Sequence, residues 1–202
     1  MNYEQDLKKN TVTFLLLLCN VSVFLWHFFT GDPSDPAYML EHGACFWPLV
    51  FSGEYYRLFT SLFLHFSAEH LLSNMLCLFA CGRIVEDCFG HAAFSAIYLV
   101  SGLSGGLFSC FFHMQKNNAV ICAGASGAVF GLTGALLLMA LFHKTAGYGI
   151  DRKRVPLAVL LTVLLSAEKN VDTVSHAAGL LAGFLVAFLF MIITERKKYT
   201  TP

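Results

Sequence analysis

Charge is scarce in this sequence. Of 202 residues, only 13 are Lys or Arg and 13 are Asp or Glu, against 56% hydrophobic residues, 20 Phe and a mean hydropathy of +0.64. A soluble domain carries about a quarter of its residues as charges, so a water-soluble fold of this length is excluded. The formal net charge is zero. Bulk electrostatics therefore argue neither for nor against nucleic acid, and none is expected as a partner. Other signals are missing as well. Lys8 and Lys9 precede an apolar run as in a signal peptide, but no small-x-small cleavage site follows. Leu16-Leu17-Leu18-Cys19 lacks the small residue expected before a lipoprotein cysteine. No metal-ligand spacing links the seven cysteines, so neither metal nor cofactor is expected.

What the chain has is long apolar runs, at about 11–30, 66–86, 92–113, 124–143, 155–168 and 173–194. A helix needs about 20 residues to cross a bilayer. The expectation is an all-α polytopic membrane protein, a single domain over 1–202 with six helices, of which the fifth is the shortest. Of the 13 basic residues, ten lie on one side of a six-helix arrangement, among them Lys8, Lys9, Arg83 and Arg152-Lys153-Arg154. Only Arg57, Lys116 and Lys169 lie on the other. The positive-inside rule then places both termini in the cytoplasm, in the cell (inner) membrane. The segment of about 31–65 faces outward. It opens on the turn cluster Gly31-Asp32-Pro33-Ser34-Asp35-Pro36 and continues with Phe46, Trp47, Phe51, Tyr55, Tyr56, Phe59 and Phe63. This is the composition of a structured element at the membrane interface, with Arg57 tying its carbonyls together. Cys45 and Cys122 are expected to face outward, and the sequence leaves their pairing open.

The chemistry centres on Gly124-Ala125-Ser126-Gly127-Ala128-Val129-Phe130-Gly131. A serine at the head of a helix lies beside backbone N–H groups without carbonyl partners, donors suited to a developing oxyanion. Gly124 and Gly127 allow close approach. Taken alone, Gly-x-Ser-Gly in an apolar helix more often serves helix packing. The second run adds His70 and Asn74, four apart on one face and continued by Ser73, Cys77 and Cys81; interhelical hydrogen bonding is the plainer reading of such a stripe. Glu86 reads as a structural acceptor, with close helix approach at Gly82 and Gly90. The third run offers Ser104 as a second nucleophile, without a helix N-terminus beside it. The sixth supplies a base: His176 lies along the Gly179, Gly183, Ala187 stripe, which matches a Gly127, Gly131, Ala135 stripe bordered by Ser126. Two such faces pack closely enough to bring Ser126 and His176 to hydrogen-bonding distance. His70, Ser126 and His176 all fall in first turns at one level. Asp172, four residues before His176, is a helix N-cap or a third member of a triad; the cap accounts for it at least as well, and a dyad is expected.

This pattern resembles the rhomboid intramembrane serine proteases, along Gly53 to Thr60, His65 to Asn74, Gly82 to Gly90, Gly124 to Gly131 and Ser175 to Gly183. The resemblance implies a rhomboid-like bundle in which Ser126 attacks a peptide carbonyl and His176 acts as general base, then acid. His70 and Asn74 would join the Ser126 amide in an oxyanion hole. Phe130 would pack against the His176 ring, where some members carry Tyr. The family's Trp-Arg pair in the outer loop stands here as Tyr56-Arg57. Substrates would be transmembrane segments of single-span proteins, cut near the outer face, and the expected partners are those proteins and the lipid bilayer. Lateral access beside the fifth helix is implied too. A catalytically silent pseudoprotease that binds client helices is the competing reading, and retention of both Ser126 and His176 speaks against it. A small transporter would need a broken helix or mid-membrane charges, and neither is evident.

Overall fold

The computed structural model describes residues 10–142 and 172–200, with side chains up to 194 in the last helix. The expected fifth helix at 155–168, and the access route beside it, lie outside the described residues. The rest is mostly helical. In chain order it comprises α1 (Thr11–Thr30), α2 (Pro36–Glu41), β1 (Cys45–Phe46), α3 (Trp47–Phe51), α4 (Arg57–Thr60) with a 3₁₀ turn at Ser61–Phe63, α5 (Ala68–Phe89), α6 (His91–Gln115), β2 (Ile121–Cys122), α7 (Ser126–Leu141) and α8 (Thr173–Thr200).

Among the described residues three helices are long and apolar enough to cross a membrane: Thr11–Thr30, His91–Gln115 and Thr173–Thr194. A fourth candidate is the pair Arg57–Phe63 and Ala68–Phe89, bent by 92°. Large apolar side chains stand exposed along these helices, including Leu18, Trp26, Phe29, Leu72, Leu76, Phe108, Leu181 and Leu189. In water such a belt would be a standing cost; in a bilayer it is the solvated surface. The chain is an integral membrane protein.

Local chemistry sets the helix limits. The apolar run at 66 begins helix only at Ala68, because the Ser67 side chain caps α5 by accepting from the His70 N–H at 3.2 Å. The run at 124 begins helix only at Ser126, since Gly124 has φ +132° and cannot belong to a right-handed helix. Gly90 departs from the expectation of close helix approach. Nothing lies within 4 Å of a Cβ placed there, and its φ of +79° identifies it as the turn residue between α5 and α6. Close approach does hold at Gly82, where a Cβ would meet Thr13 at 3.1 Å.

The first turn of α1 ends on Glu86. Its carboxylate accepts from the backbone N–H groups of Val12 and Thr13, both at 2.8 Å, and from the Thr13 hydroxyl at 2.6 Å, and it meets His91 Nδ1 at 2.6 Å. A buried carboxylate with four partners, two of them orphan donors of a helix start, ties three helices at one end of the bundle.

The segment between α1 and α5 is built rather than loose. Arg57, 5% exposed, donates through Nη1 to the carbonyls of Leu40 at 2.6 Å and Ala44 at 3.1 Å, and through Nε to Glu54 at 2.7 Å. Thr60 Oγ1 donates to the Gly43 carbonyl at 2.7 Å. Tyr56 is exposed but joins this knot, giving its hydroxyl to Glu54 at 2.9 Å and its ring face to the Arg57 guanidinium at 5.4 Å. The segment reaches the rest of the protein through the antiparallel pair β1 and β2, with Cys45 opposite Cys122 and Phe46 opposite Ile121.

Helix α7 packs on α8 through backbone contacts. A Cβ on Gly179 would sit 2.1 Å from the Gly127 carbonyl oxygen, one on Gly183 2.1 Å from that of Gly131, and one on Gly134 2.1 Å from that of Leu180. The two small-residue stripes read from the sequence therefore meet backbone to backbone.

Candidate active site

Ser126 is the first residue of α7, after Ala125. The first helical hydrogen bond of this turn runs from the Val129 N–H to the Ala125 carbonyl at 3.0 Å. The N–H groups of Ser126, Gly127 and Ala128 thus precede the ladder and have no carbonyl partner within the helix. Three orphan donors surround one half-buried hydroxyl. They suit a negative charge forming on an oxygen held beside that hydroxyl.

The strand β2 delivers the chain to this point, and two further contacts fix it. The Gly124 N–H donates to the Ser61 carbonyl at 2.9 Å, and the Ala125 N–H points to His65 Nε2 at 3.5 Å. His65 is 1% exposed and packs edge-on against the His70 ring at 5.0 Å between centroids. The sequence reading gave His65 no role. Its position in the bend before α5 makes it a brace between the His70 ring and the loop that leads to Ser126. The available signal was a histidine between Leu64 and Phe66, too polar for a purely apolar bend.

His70 lies directly against Gly124. A Cβ there would come within 2.8 Å of His70 Cε1 and Nε2, and 3.8 Å of Ser126 Oγ. The glycine is therefore needed twice, for its positive φ and for the imidazole beside it. Asn74, 5% exposed, follows one turn later and gives one amide hydrogen to the His70 carbonyl at 3.0 Å, so one of its two donors remains.

On α8, His176 is 7% exposed and stacks on Phe130, with centroids 4.1 Å apart and planes 12° from parallel. Among the described residues its buried Nδ1 has no hydrogen-bond partner. The ring is thus positioned by an aromatic face and not by a carboxylate. Asp172 is spent elsewhere: Oδ1 accepts from the Ser175 N–H at 3.0 Å as the N-cap of α8, and Oδ2 accepts from the Ser109 hydroxyl at 2.5 Å. The structure therefore brings together Ser126, His70, Asn74, Gly124, Gly127, Phe130 and His176 where the α5, α7 and α8 starts meet. Ser126 Oγ and His176 are joined by the Gly127–Gly179 contact between their helices, and no hydrogen bond between the two side chains is present among the described residues. Ser104 stands in the interior of α6, away from any helix start. Arg57 acts at a distance, holding the segment that carries β1.

Comparison with known proteins identifies the family. The Rhomboid domain family model matches residues 52–193. The chain is 33% identical over 187 residues to Rhomboid protease GluP of Bacillus subtilis, covering 89% of this chain and 34% of that protein. It is 37% identical over 156 residues to RHOMBOID-like protein 7 of Arabidopsis thaliana, covering 74% and 48%. It is 25% identical over 208 residues to Rhomboid protease AarA of Providencia stuartii, covering 92% and 74%. The chain thus spans about a third to a half of the first two relatives. With a family model matched over most of its length, the chain belongs to the rhomboid family.

Proposed function

We propose that the chain is an intramembrane serine endopeptidase working through a Ser126–His176 dyad in a six-helix rhomboid bundle. The observation that carries this reading is Ser126 at the head of α7, beside unpaired N–H groups and one residue from the Gly127–Gly179 contact that brings α8 and His176 against it. In the reaction the imidazole takes the Ser126 hydroxyl proton as Oγ attacks the scissile carbonyl. The oxyanion is met by the Ser126 N–H with His70 and Asn74. His176 then returns its proton to the leaving amine, and water hydrolyses the acyl-enzyme by the reverse sequence. Sixteen residues of α7 span about 24 Å, less than the ~30 Å of hydrocarbon. Its serine end can therefore lie below the membrane surface, where polar side chains on α5 and α8 admit water. Substrates are transmembrane segments of single-span proteins, with the cut near the outer face, where the chain must be locally unwound. Both termini lie in the cytoplasm, and the cell (inner) membrane is the site of action.

The test is cleavage of a single-span substrate by purified protein, together with labelling by a fluorophosphonate. Ser126→Ala and His176→Ala should each abolish most activity, with the double variant little worse, while Ser104→Ala cleaves normally. Asn74→Ala should lower turnover more than substrate binding, by at most ~2.7 to 4 kcal/mol, the usual cost of one oxyanion donor. Wild-type cleavage by Ser126→Ala would remove this serine from the chemistry. Substrate capture without cleavage by the wild-type protein would leave a client-binding pseudoprotease.

A further inference from the structure

A second group of reactive side chains lies at the same end of the bundle, outside the residues given catalytic roles. His113 near the end of α6, Cys122 in β2 and Asp172 at the start of α8 place one donor atom each within 4.8 Å of one another. They come from three separate elements, 9 and 50 residues apart along the chain, so no local spacing reveals them. Two observations mark the group as unfinished. Among the described residues the buried His113 Nδ1 has no hydrogen-bond partner. The Asp172 carboxylate has a hydroxyl and a backbone N–H for company, and among the described residues no Lys or Arg pairs with it. Cys122 is also a free thiol: although Cys45 is its cross-strand partner, the Cys45 sulfur lies against Cys110 Sγ at 3.2 Å.

We propose that His113, Cys122 and Asp172 bind a single divalent ion of the zinc class, which clamps the start of α8 to β2 and the end of α6. Imidazole, thiolate and carboxylate together form a borderline-soft donor set, suited to zinc and poorly matched to magnesium or calcium. Tetrahedral zinc at ~2.0 to 2.3 Å from its ligands holds donor atoms about 3.3 to 3.8 Å apart. A group already within 4.8 Å closes by side-chain rotation alone. Binding displaces the thiol proton into solvent and leaves the fourth position to water. The site has mechanical reach. Asp172 caps the helix on which His176 stands four residues later, and Cys122 precedes Ser126 by four, so one ion would fix both approaches to the dyad.

The experiment uses tag-free full-length protein in detergent with a non-thiol reductant, stripped with chelator and equilibrated with zinc or cobalt. One zinc per chain is expected by elemental analysis, with a higher melting temperature and, for cobalt, a thiolate-to-metal charge-transfer band. Cys122→Ser and His113→Gln should each weaken binding at least ~10-fold and Cys122→Ser should abolish the band. Cys77→Ser and Ser126→Ala should bind as wild type, which separates this site from the protease reading. Zinc well below one per chain, equal affinity in Cys122→Ser and His113→Gln, or a wild-type cobalt spectrum without the thiolate band would overturn the proposal. The last of these decides the matter even if the variants fail to fold.

Discussion

Gly179→Ala adds one methyl group at the crossing that sets the distance between Ser126 and His176. Its Cβ would lie 2.1 Å from the Gly127 carbonyl oxygen, 2.9 Å from the carbonyl carbon and 3.2 Å from Cα. All three are backbone atoms, so no side chain can swing aside. Restoring even a close C···O contact of ~3.3 Å requires α7 and α8 to part by about 1 Å. Overpacking of this kind costs ~1 to 3 kcal/mol of stability. The effect on chemistry should be of similar size, because a 1 Å misplacement of reacting groups costs about 100-fold in rate, or about 2.7 kcal/mol. The expected outcome is a protein that folds with a lowered melting temperature and loses about two orders of magnitude in cleavage of a single-span substrate. Fluorophosphonate labelling should slow in parallel, which places the defect at Ser126 and not in substrate access. Gly106→Ala is the control: its nearest atoms are the tip of Leu58 at 3.3 Å and Cys45 Sγ at 4.0 Å, and a methyl group fits with small adjustment. Gly179→Ala with wild-type cleavage and melting would refute the argument that this contact sets the dyad distance.

At the opposite end of the bundle, Glu86→Ala should lower stability by ~3 to 5 kcal/mol, since it strands the Val12 and Thr13 donors and removes the contact to the half-exposed His91; thermal unfolding in detergent measures it, and a loss below ~1 kcal/mol would mean that water replaces the carboxylate. Arg57→Lys should loosen the segment between α1 and α5, because a single ammonium cannot reach Leu40, Ala44 and Glu54 in the geometry of the guanidinium fork; faster proteolysis between residues 31 and 60 is the readout. The same segment should respond to acid. The Tyr56 hydroxyl, then Arg57, hold the Glu54 carboxyl below its ordinary value. The contribution of Glu54 is therefore fully present above the ordinary glutamate pKa and is lost as pH falls through the lowered one. Glu54→Gln should remove that acid sensitivity from the proteolysis rate.

Much of this arrangement could be read along the chain because its signals are local. The run from Thr11 to Thr30 is bounded by polar Asn10 and by Gly31, and it folds as one helix with those limits. Ser126 was legible as a helix-start residue because glycines flank it and small residues recur behind it at helical spacing. The α7–α8 contact followed from two stripes with the same period. What stayed hidden either lacks a local period or depends on partners distant in sequence. Glu54 was not connected to Arg57, although only three residues separate them, because an aromatic-rich loop offers no period from which to infer a face. β1 and β2, at two residues each, are too short to show alternation. Ser109 and Asp172 stand 63 residues apart, and nothing in either local sequence points to the other.

That last contact bears directly on how the histidine is held. A triad would need Asp172 to reach the His176 ring, four residues along the same helix. Both of its oxygens are engaged by Ser175 and Ser109, and the helix direction places an N-cap side chain over the backbone donors that follow it. Releasing Asp172 to orient an imidazole would uncap α8 in the turn that carries His176. Phe130 removes the need, since stacking at 4.1 Å and 12° constrains the plane of the ring without a carboxylate. It comes from α7, the helix that carries Ser126, so the residue that orients the His176 ring moves with Ser126. Any rotation of α8 that displaced His176 would first have to break this stack and open the Gly127–Gly179 contact. The geometry of the proposed dyad therefore rests on glycine contact and aromatic stacking, and Asp172 serves as the cap of α8.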